Sequence, residues 1–461
     1  MSFVAFRART IILDAASTPV HDAAVVVRDS RVVAVTPWSD ARREFDGVID
    51  VAGVLMPGMI DAHSHLRGLP LVMHGISARH FEAWVCSLPA ATQLDPHDEA
   101  LVASVGLLET GVTAVQGVVD AGSNEQATLA RGRATAAGLS LAGIRGLIVL
   151  GFADRAMYAP EPAEGDWALV QPDDPFLPVS EIASVAAAYL AGVTPGSELG
   201  LGPIGAQWST DATLEAITKA AGNHRIHTHL NESSRHRHWL AGAASPVDRL
   251  DAAGLLTGYL SAAHAVHLLP VELDRIAACG ASLVHCPMSN DALRVGTAQV
   301  SEWLSRGIPT ALGIDSQNEA EADMFAVMRH AVEVSRRVGD PLTHAEVFAM
   351  ATTGGARALG LTGGGRITAG SFADLVEVNI DVEPSTAIDE LVALATPASV
   401  ESVWVGGEQR VRHGSGSAAS EPARQRLLTH LEVDRPAREA RLREQSSVVE
   451  LVERLIAGMP A

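Results

Sequence analysis

Between residue 54 and about residue 360, short apolar runs alternate with stretches whose apolar positions recur at helical spacing. Eight runs have the length and β-branched content of strands: Val54–Ile60, Val112–Gly117, Leu141–Val149, Leu199–Ile204, Arg225–His229, Leu260–His264, Ala281–His285 and Pro309–Ile314. Helical stretches fall between them at Glu125–Ala137, Glu181–Ala191, Ala212–Ala221, Pro270–Ala278 and Val300–Ser305. A strand–helix repeat predicts a parallel sheet, and eight strands is the number that closes a barrel. The expected core is a (β/α)8 TIM barrel of the α/β class.

The chain ends read differently. Ala5–Leu13, Ala23–Arg28, Arg31–Val35 and Gly47–Val51 are short strands, with Asp29-Ser30 as a tight turn between two of them. Gly365–Asp381 and Ser399–Arg412 match them: residues 373–378 alternate with period two, and Gly406-Gly407 is a second hairpin turn. One small β-sandwich built from both ends is expected, with the barrel inserted. The predicted divisions are 1–53 and 365–413 for the sandwich, 54–364 for the barrel, and 414–461 for a linker and helix. Segment Phe152–Val179, with five prolines and six acidic residues, predicts a long loop over the barrel mouth. The helix expected over Arg438–Leu455 is highly charged and reads as a solvated surface helix.

Composition narrows the function classes. Of 461 residues, 34 are Lys or Arg and 54 Asp or Glu, a formal net charge of −20. Such a surface repels nucleic acid and anionic membranes. No apolar stretch approaches the roughly 18–20 residues of a membrane span, and the N-terminus lacks the pattern of a secretory leader, so a cytoplasmic protein is expected. Cys86, Cys279 and Cys286 are too few and too scattered for a disulfide framework.

Chemistry concentrates where the apolar runs end, which is where a barrel presents catalytic groups. His63 and His65 stand at i and i+2 after Pro57-Gly58-Met59-Ile60-Asp61-Ala62, so both imidazoles face one way in extended chain. In His227-Thr228-His229-Leu230-Asn231-Glu232 two histidines again share a face. His229 lies nearer the strand end and is the expected ligand, with Glu232 close enough to act on an activated water. His227 is expected deeper in the barrel, behind the ligands. His236 and His238 sit in an Arg-rich polar stretch and read as solvated. His264 ends another run and is expected to be catalytic. His285 also ends a run, and with Ser289 and Asn290 it is suited to orienting a substrate. Asp315 ends the last run; it can ligate a divalent ion and take a proton from water. Lys219, the sole lysine, lies in a helical stretch, away from any strand end where it could bridge two metals. One divalent ion is expected, Zn2+ first and Fe2+ second.

These motifs resemble the amidohydrolase superfamily, in its cytosine/guanine deaminase and triazine hydrolase branch. The resemblance rests on PGMIDAHSH, HTHLNES, SAAHAVH, HCPMSN, GID and GSFADLVEV, which together span nearly the whole chain. It implies metal ligands at His63, His65, His229 and Asp315, a proton-shuttling Glu232, a catalytic His264 and a homodimer. The implied reaction is deamination of an amino-substituted N-heterocycle by a hydroxide that the metal makes available. The alternatives are the same hydrolysis with a chloride, alkylamine or cyclic-amide leaving group, and a non-catalytic binding protein on the same fold. Purine-nucleoside deaminases of the branch tend to carry Pro-His after the fourth strand; residues 202–208 here read GPIGAQW, closer to the triazine hydrolases. Arg67, Trp84 and Gln207 join His285, Ser289 and Asn290 as expected substrate contacts.

Overall fold

The computed structural model describes residues 3–457 apart from 42–44, 46, 156–175, 193–196, 238–244 and 320. Most of the expected mouth loop, and His238, lie outside the described residues.

Chain order begins with β1 (Val4–Ile11), β2 (Val20–Arg28), β3 (Arg31–Pro37) and β4 (Gly47–Pro57). Asp29 and Ser30, with φ of 49° and 66°, make the β2–β3 turn, the left-handed pair whose twist matches a hairpin. The barrel strands follow: β5 (Met59–Ser64), β6 (Val112–Asp120), β7 (Arg145–Phe152), β8 (Ser197–Pro203), β9 (Ile226–Leu230), β10 (Leu260–His264), β11 (Ser282–His285) and β12 (Thr310–Leu312). They pair in sequence order as one parallel sheet. Then come β13 (Leu375–Val378), β14 (Val400–Val405) and β15 (Glu408–Arg412). These join the first four strands in a seven-stranded sheet of order β15-β14-β13-β4-β1-β2-β3.

That second sheet curls over on itself. Phe6 of β1 and Trp404 of β14 are separated by two strands, roughly 14 Å across a flat sheet at the usual strand spacing. Their rings nevertheless meet edge to face at 5.0 Å. The fold is the expected one, a TIM barrel plus a sheet drawn from both chain ends.

Some details differ from the expectation. The strand expected over Val54–Ile60 is divided: residues up to Pro57 belong to β4, and β5 starts at Met59 after Gly58. A Cβ at Gly58 would lie within 2.0 Å of the Thr113 side chain, so the join needs glycine. The helix expected to stop at Ala137 runs from Glu125 to Ala142 and ends at Gly143 in a left-handed cap, φ 78°. Gly138 does not break it; a Cβ there would lie 2.5 Å from the His97 carbonyl, so it serves close helix–helix packing.

Barrel strands β5, β9, β10, β11 and β12 are buried along their whole length, as strands covered by helices should be. The interior layer is made of small residues, with Ala62, Ala114, Ala263 and Ala311 among Ile60, Leu147, Val149 and Val284. Those alanines leave room above them for imidazoles. The ring closes where Asp315 N–H donates to the His63 carbonyl at 2.8 Å and Ser64 bridges Asp315 in parallel.

The helix Arg435–Ala457 is not a solvated surface element. Val449, Val452 and Ile456, spaced along one face, are buried with Phe81, Trp84 and Val85 of the helix Phe81–Ser87 and with Trp208. Arg235 Nη2 donates to the Ile456 carbonyl at 3.2 Å, so the C-terminal helix is fastened over the barrel mouth. The charged residues 435–444 obscured the amphipathic second half. No helix among the described residues is long and apolar enough to cross a membrane. Val452→Asp should therefore lower stability by about 2 kcal/mol or more in chemical denaturation, because it buries an unpaired carboxylate. Val433→Asp, at a position 74% exposed, should stay within about 0.5 kcal/mol of wild type. Equal effects at the two positions would contradict the packing of this helix.

Candidate active site

Strand register brings the predicted ligands together. His63 ends β5, and closure sets it beside Asp315. Ala263 of β10 is level with His229 of β9, so His264 emerges one residue further along the mouth. The strands stop abruptly here: Leu66, Asn231, His264, Ala265 and Asp315 all have φ between 44° and 70°. Non-glycine residues in that region carry strain that the surrounding structure must hold.

One ligand-type atom from each of His63, His229, His264 and Asp315 lies within 4.8 Å of the others. His65 joins them: its Nε2 is 3.2 Å from Asp315 Oδ1 and 3.4 Å from His229 Nε2. His63 Nε2 is 3.1 Å from the same Asp315 oxygen. The rings of His65, His229 and His264 form a stack, with centroid spacings of 5.5 and 5.4 Å. His229 Nδ1 donates to the Ile204 carbonyl at 2.7 Å, which leaves its Nε2 lone pair turned on the cluster.

Electrostatics prepare these groups for a cation. Burial holds the pKa values of His63 and His229 below the usual histidine value, so both are neutral donors. Burial alone would raise Asp315, but hydrogen bonds from His63 and His65 hold it well below the ordinary carboxylate range. Imidazoles gathered about one carboxylate are a donor set that zinc takes, with the mixed nitrogen and oxygen chemistry of catalytic sites. The residues present fit a single divalent ion. Lys219 lies on the helix Asp211–Ala221, away from the cluster, so no lysine bridges a second ion.

Glu232 stands at the edge of the cluster, its Oε1 3.7 Å from His264 Nδ1. Burial, then the charges of Asp315 and Glu82, push its pKa well above the ordinary value. Its Oε2 and the Nε2 of His264 have no hydrogen-bond partner among the described residues. Orphaned buried polar atoms at one spot mark where a ligand, ion or water is received.

The expected substrate contacts divide into three groups. Ser289 Oγ donates to Asp315 Oδ2 at 2.5 Å, and Asn290 Oδ1 accepts from His264 Nδ1 at 2.9 Å, so both orient cluster residues. Trp84 Nε1, Gln207 Oε1, Asn290 Nδ2 and both ring nitrogens of His285 are buried without a partner among the described residues. Arg67 Nε is also buried without a partner among the described residues, and its charge acts on His74 and on Glu99 of the helix Pro96–Glu109.

His236 is not solvated. It is fully buried, edge-on to Phe81 at 5.3 Å and to Trp208 at 5.1 Å. Phe81 and Trp208 stack at 6.2 Å, and Trp208 reaches His229 at 6.1 Å, so an aromatic wall borders the ligands. Sequence reasoning also passed over Glu82, which accepts from Ser233 Oγ at 2.5 Å beside Glu232. Asp61 was missed too; its Oδ1 accepts from the amides of His63 and Ile314 at 3.2 and 3.0 Å and ties the first strand to the last. The signal for Asp61 was a carboxylate inside an apolar run.

Known proteins resemble this chain in sequence and in fold. The sequence pattern of the amidohydrolase family matches residues 54–410. A 5-methylthioadenosine/S-adenosylhomocysteine deaminase of Nitratidesulfovibrio vulgaris is 31% identical over 86% of this chain and 88% of its own. An 8-oxoguanine deaminase of Pseudomonas aeruginosa is 28% identical over 85% of this chain and 90% of its own. Among solved structures, atrazine chlorohydrolase from Arthrobacter aurescens, complexed with zinc, superposes with a TM-score of 0.78 at 21% identity, covering 93% of this chain and all of that one. That last likeness speaks to fold alone. With the family pattern covering most of its length and its ligand-type residues gathered at one barrel mouth, the chain belongs to the amidohydrolase family.

Proposed function

We propose that the protein is a metal-dependent aminohydrolase that removes the amino group of an N-heterocycle as ammonia, with zinc held by His63, His65, His229 and Asp315. The observation that carries this reading is a buried Glu232 carboxyl next to that donor cluster, its pKa raised by burial. Two relatives of similar length that carry deaminase names act, by those names, on purine compounds, which supports a ring substrate bearing an exocyclic amine. The proposal includes a cytoplasmic homodimer whose partner is a small heterocycle.

A divalent ion bound here supplies Lewis acidity and brings the pKa of a water toward neutrality. The protein's own groups supply the proton transfers. Asp315, ionised, and His264, neutral because burial lowers its pKa to about 4, accept the proton that the attacking water gives up. Asn290 holds His264 in orientation, and Ser289 does the same for Asp315. Glu232 donates its carboxyl proton to the ring nitrogen beside the carbon that carries the amine. It then takes the proton of the hydroxyl group newly formed on the ring carbon and passes it to the amino group as the C–N bond breaks and the carbonyl forms; the proton held at Asp315 or His264 returns to Glu232 and restores the starting state. Burial makes a carboxyl group able to act in both directions near neutral pH. The aromatic wall of Phe81, Trp84 and Trp208 gives a planar ring a face to stack on.

Glu232→Gln should retain stoichiometric zinc by elemental analysis and lose roughly 10²–10⁴-fold in ammonia release from the best substrate of an amino-heterocycle panel. Loss of zinc in that variant would remove Glu232 from its proton-transfer role. Release of chloride or alkylamine without ammonia would favour the other leaving groups.

The raised pKa of Glu232 gives a second test, with its sign fixed by linkage. The folded state prefers the neutral form, so the associated stability is full below the unfolded value near 4.5 and is lost as pH rises toward the folded value. Gln does not titrate. With chelator present, Glu232→Gln should gain stability over wild type progressively as pH rises above about 4.5 in urea unfolding. A difference that stays flat with pH would contradict a neutral Glu232.

A further inference from the structure

Beneath the ligands the barrel interior holds three polar side chains that the proposed reaction does not use. They are Gln116 of β6, His227 of β9 and Ser261 of β10, all at most 2% exposed. His227 Nε2 lies 2.8 Å from His63 Nδ1. Its other nitrogen, Nδ1, lies 2.7 Å from Gln116 Nε2 and 2.8 Å from Ser261 Oγ. The Gln116 amide cannot be reversed, because its Nε2 donates to the Ala62 carbonyl at 2.6 Å and its Oε1 accepts from Ser261 Oγ at 3.2 Å. Gln116 therefore presents an N–H to His227, whereas Ser261, when its hydroxyl proton turns to Gln116 Oε1 or to the Ile226 carbonyl at 3.5 Å, presents a lone pair.

A neutral imidazole has one proton to place, so these neighbours conflict. If Gln116 prevails, His227 Nδ1 accepts, its Nε2–H donates to His63 Nδ1, and the His63 proton sits on Nε2, facing Asp315. That arrangement closes the site to a cation at His63. If Ser261 prevails, His227 Nδ1–H donates to Ser261 and Nε2 accepts from His63 Nδ1–H. The Nε2 lone pair of His63 is then free for the ion. Each ring carries one proton in both arrangements; only the positions differ.

We infer that His227 is a positioning residue that sets the tautomer of His63, with Ser261 selecting the metal-binding form and Gln116 opposing it. This rests on the reading of His63 as a ligand. Partners that fix a ligating histidine from behind typically contribute 10–100-fold to metal affinity. Ser261 and Gln116, although they touch the same nitrogen, should then have opposite effects when removed.

The test is zinc affinity of the full-length protein, measured by competition with a chromophoric chelator, together with the visible spectrum of the cobalt-substituted protein. Ser261→Ala, nearly isosteric, should weaken zinc binding by roughly tenfold, and His227→Phe by roughly 10–100-fold, with altered cobalt bands in both. Gln116→Leu should bind zinc at least as tightly as wild type, even if its thermal midpoint falls through loss of the bond to Ala62. Equal weakening in Ser261→Ala and Gln116→Leu would reduce the trio to packing and overturn the inference. Wild-type affinity and spectrum in both Ser261→Ala and His227→Phe would overturn it as well, while leaving the metal reading intact. A wild-type protein that takes up neither zinc nor cobalt stoichiometrically would remove the metal reading itself, and this inference with it.

Discussion

The hydrogen bond from the Asp315 amide to the His63 carbonyl closes the barrel, and the site exists because of it. These residues are 252 positions apart in sequence. A parallel sheet that stayed open would leave His63 and His65 on one edge and Asp315 on the other. Closure superimposes the edges, and Asp61 reinforces it by accepting from amides on both sides of the seam. The same contact that completes the fold therefore completes the cluster of ligand-type residues, so a metal bound here would be coupled to folding.

Assembly of the donors has two costs, and the structure meets each locally. Positive φ at Asn231, His264, Ala265 and Asp315 is strained backbone, retained where strands must end sharply to turn side chains across the mouth. Burial of several imidazoles and of the carboxyl groups of Asp61, Glu82, Glu232 and Asp315 is the second. Burial lowers the pKa of His63 and His229 and raises that of Glu232 and, to about 8, that of Asp61, which limits the buried charge, while hydrogen bonds from His63 and His65 hold Asp315 well below the ordinary carboxylate range. A cation bound there would offset the charge of Asp315. The covering helices, Phe81–Ser87 and Arg435–Ala457, keep the region dry enough for these shifts.

Much of this was legible in the sequence. Each ligand-type residue ends an apolar run, and the i, i+2 spacing of His63 and His65 and the i, i+3 spacing of His229 and Glu232 carry direct geometric meaning. The eight strands follow from the alternation of runs. What was hidden depends on which face of a strand points inward and on contacts between remote segments. Asp61, Gln116 and Ser261 sit inside apolar runs, where a polar residue looks like noise until the closed barrel makes them neighbours. His236 looked solvated because Arg235 and Arg237 flank it; the aromatic wall that buries it comes from residues 81 and 208. The C-terminal helix was misread because its charged first half masks the spacing of Val449, Val452 and Ile456. Ser289 and Asn290 were seen as polar groups at the mouth, but their partners, Asp315 and His264, lie on other strands.

The most direct test is a crystal structure of the zinc-loaded protein with anomalous scattering recorded at the zinc edge. The account predicts one ion per chain, bonded to His63, His65 and His229 nitrogens at about 2.0–2.1 Å and to an oxygen of Asp315. A peak elsewhere, for example at the other acidic and histidine group of Asp95, His97 and Asp98, with none at the barrel mouth, would contradict it.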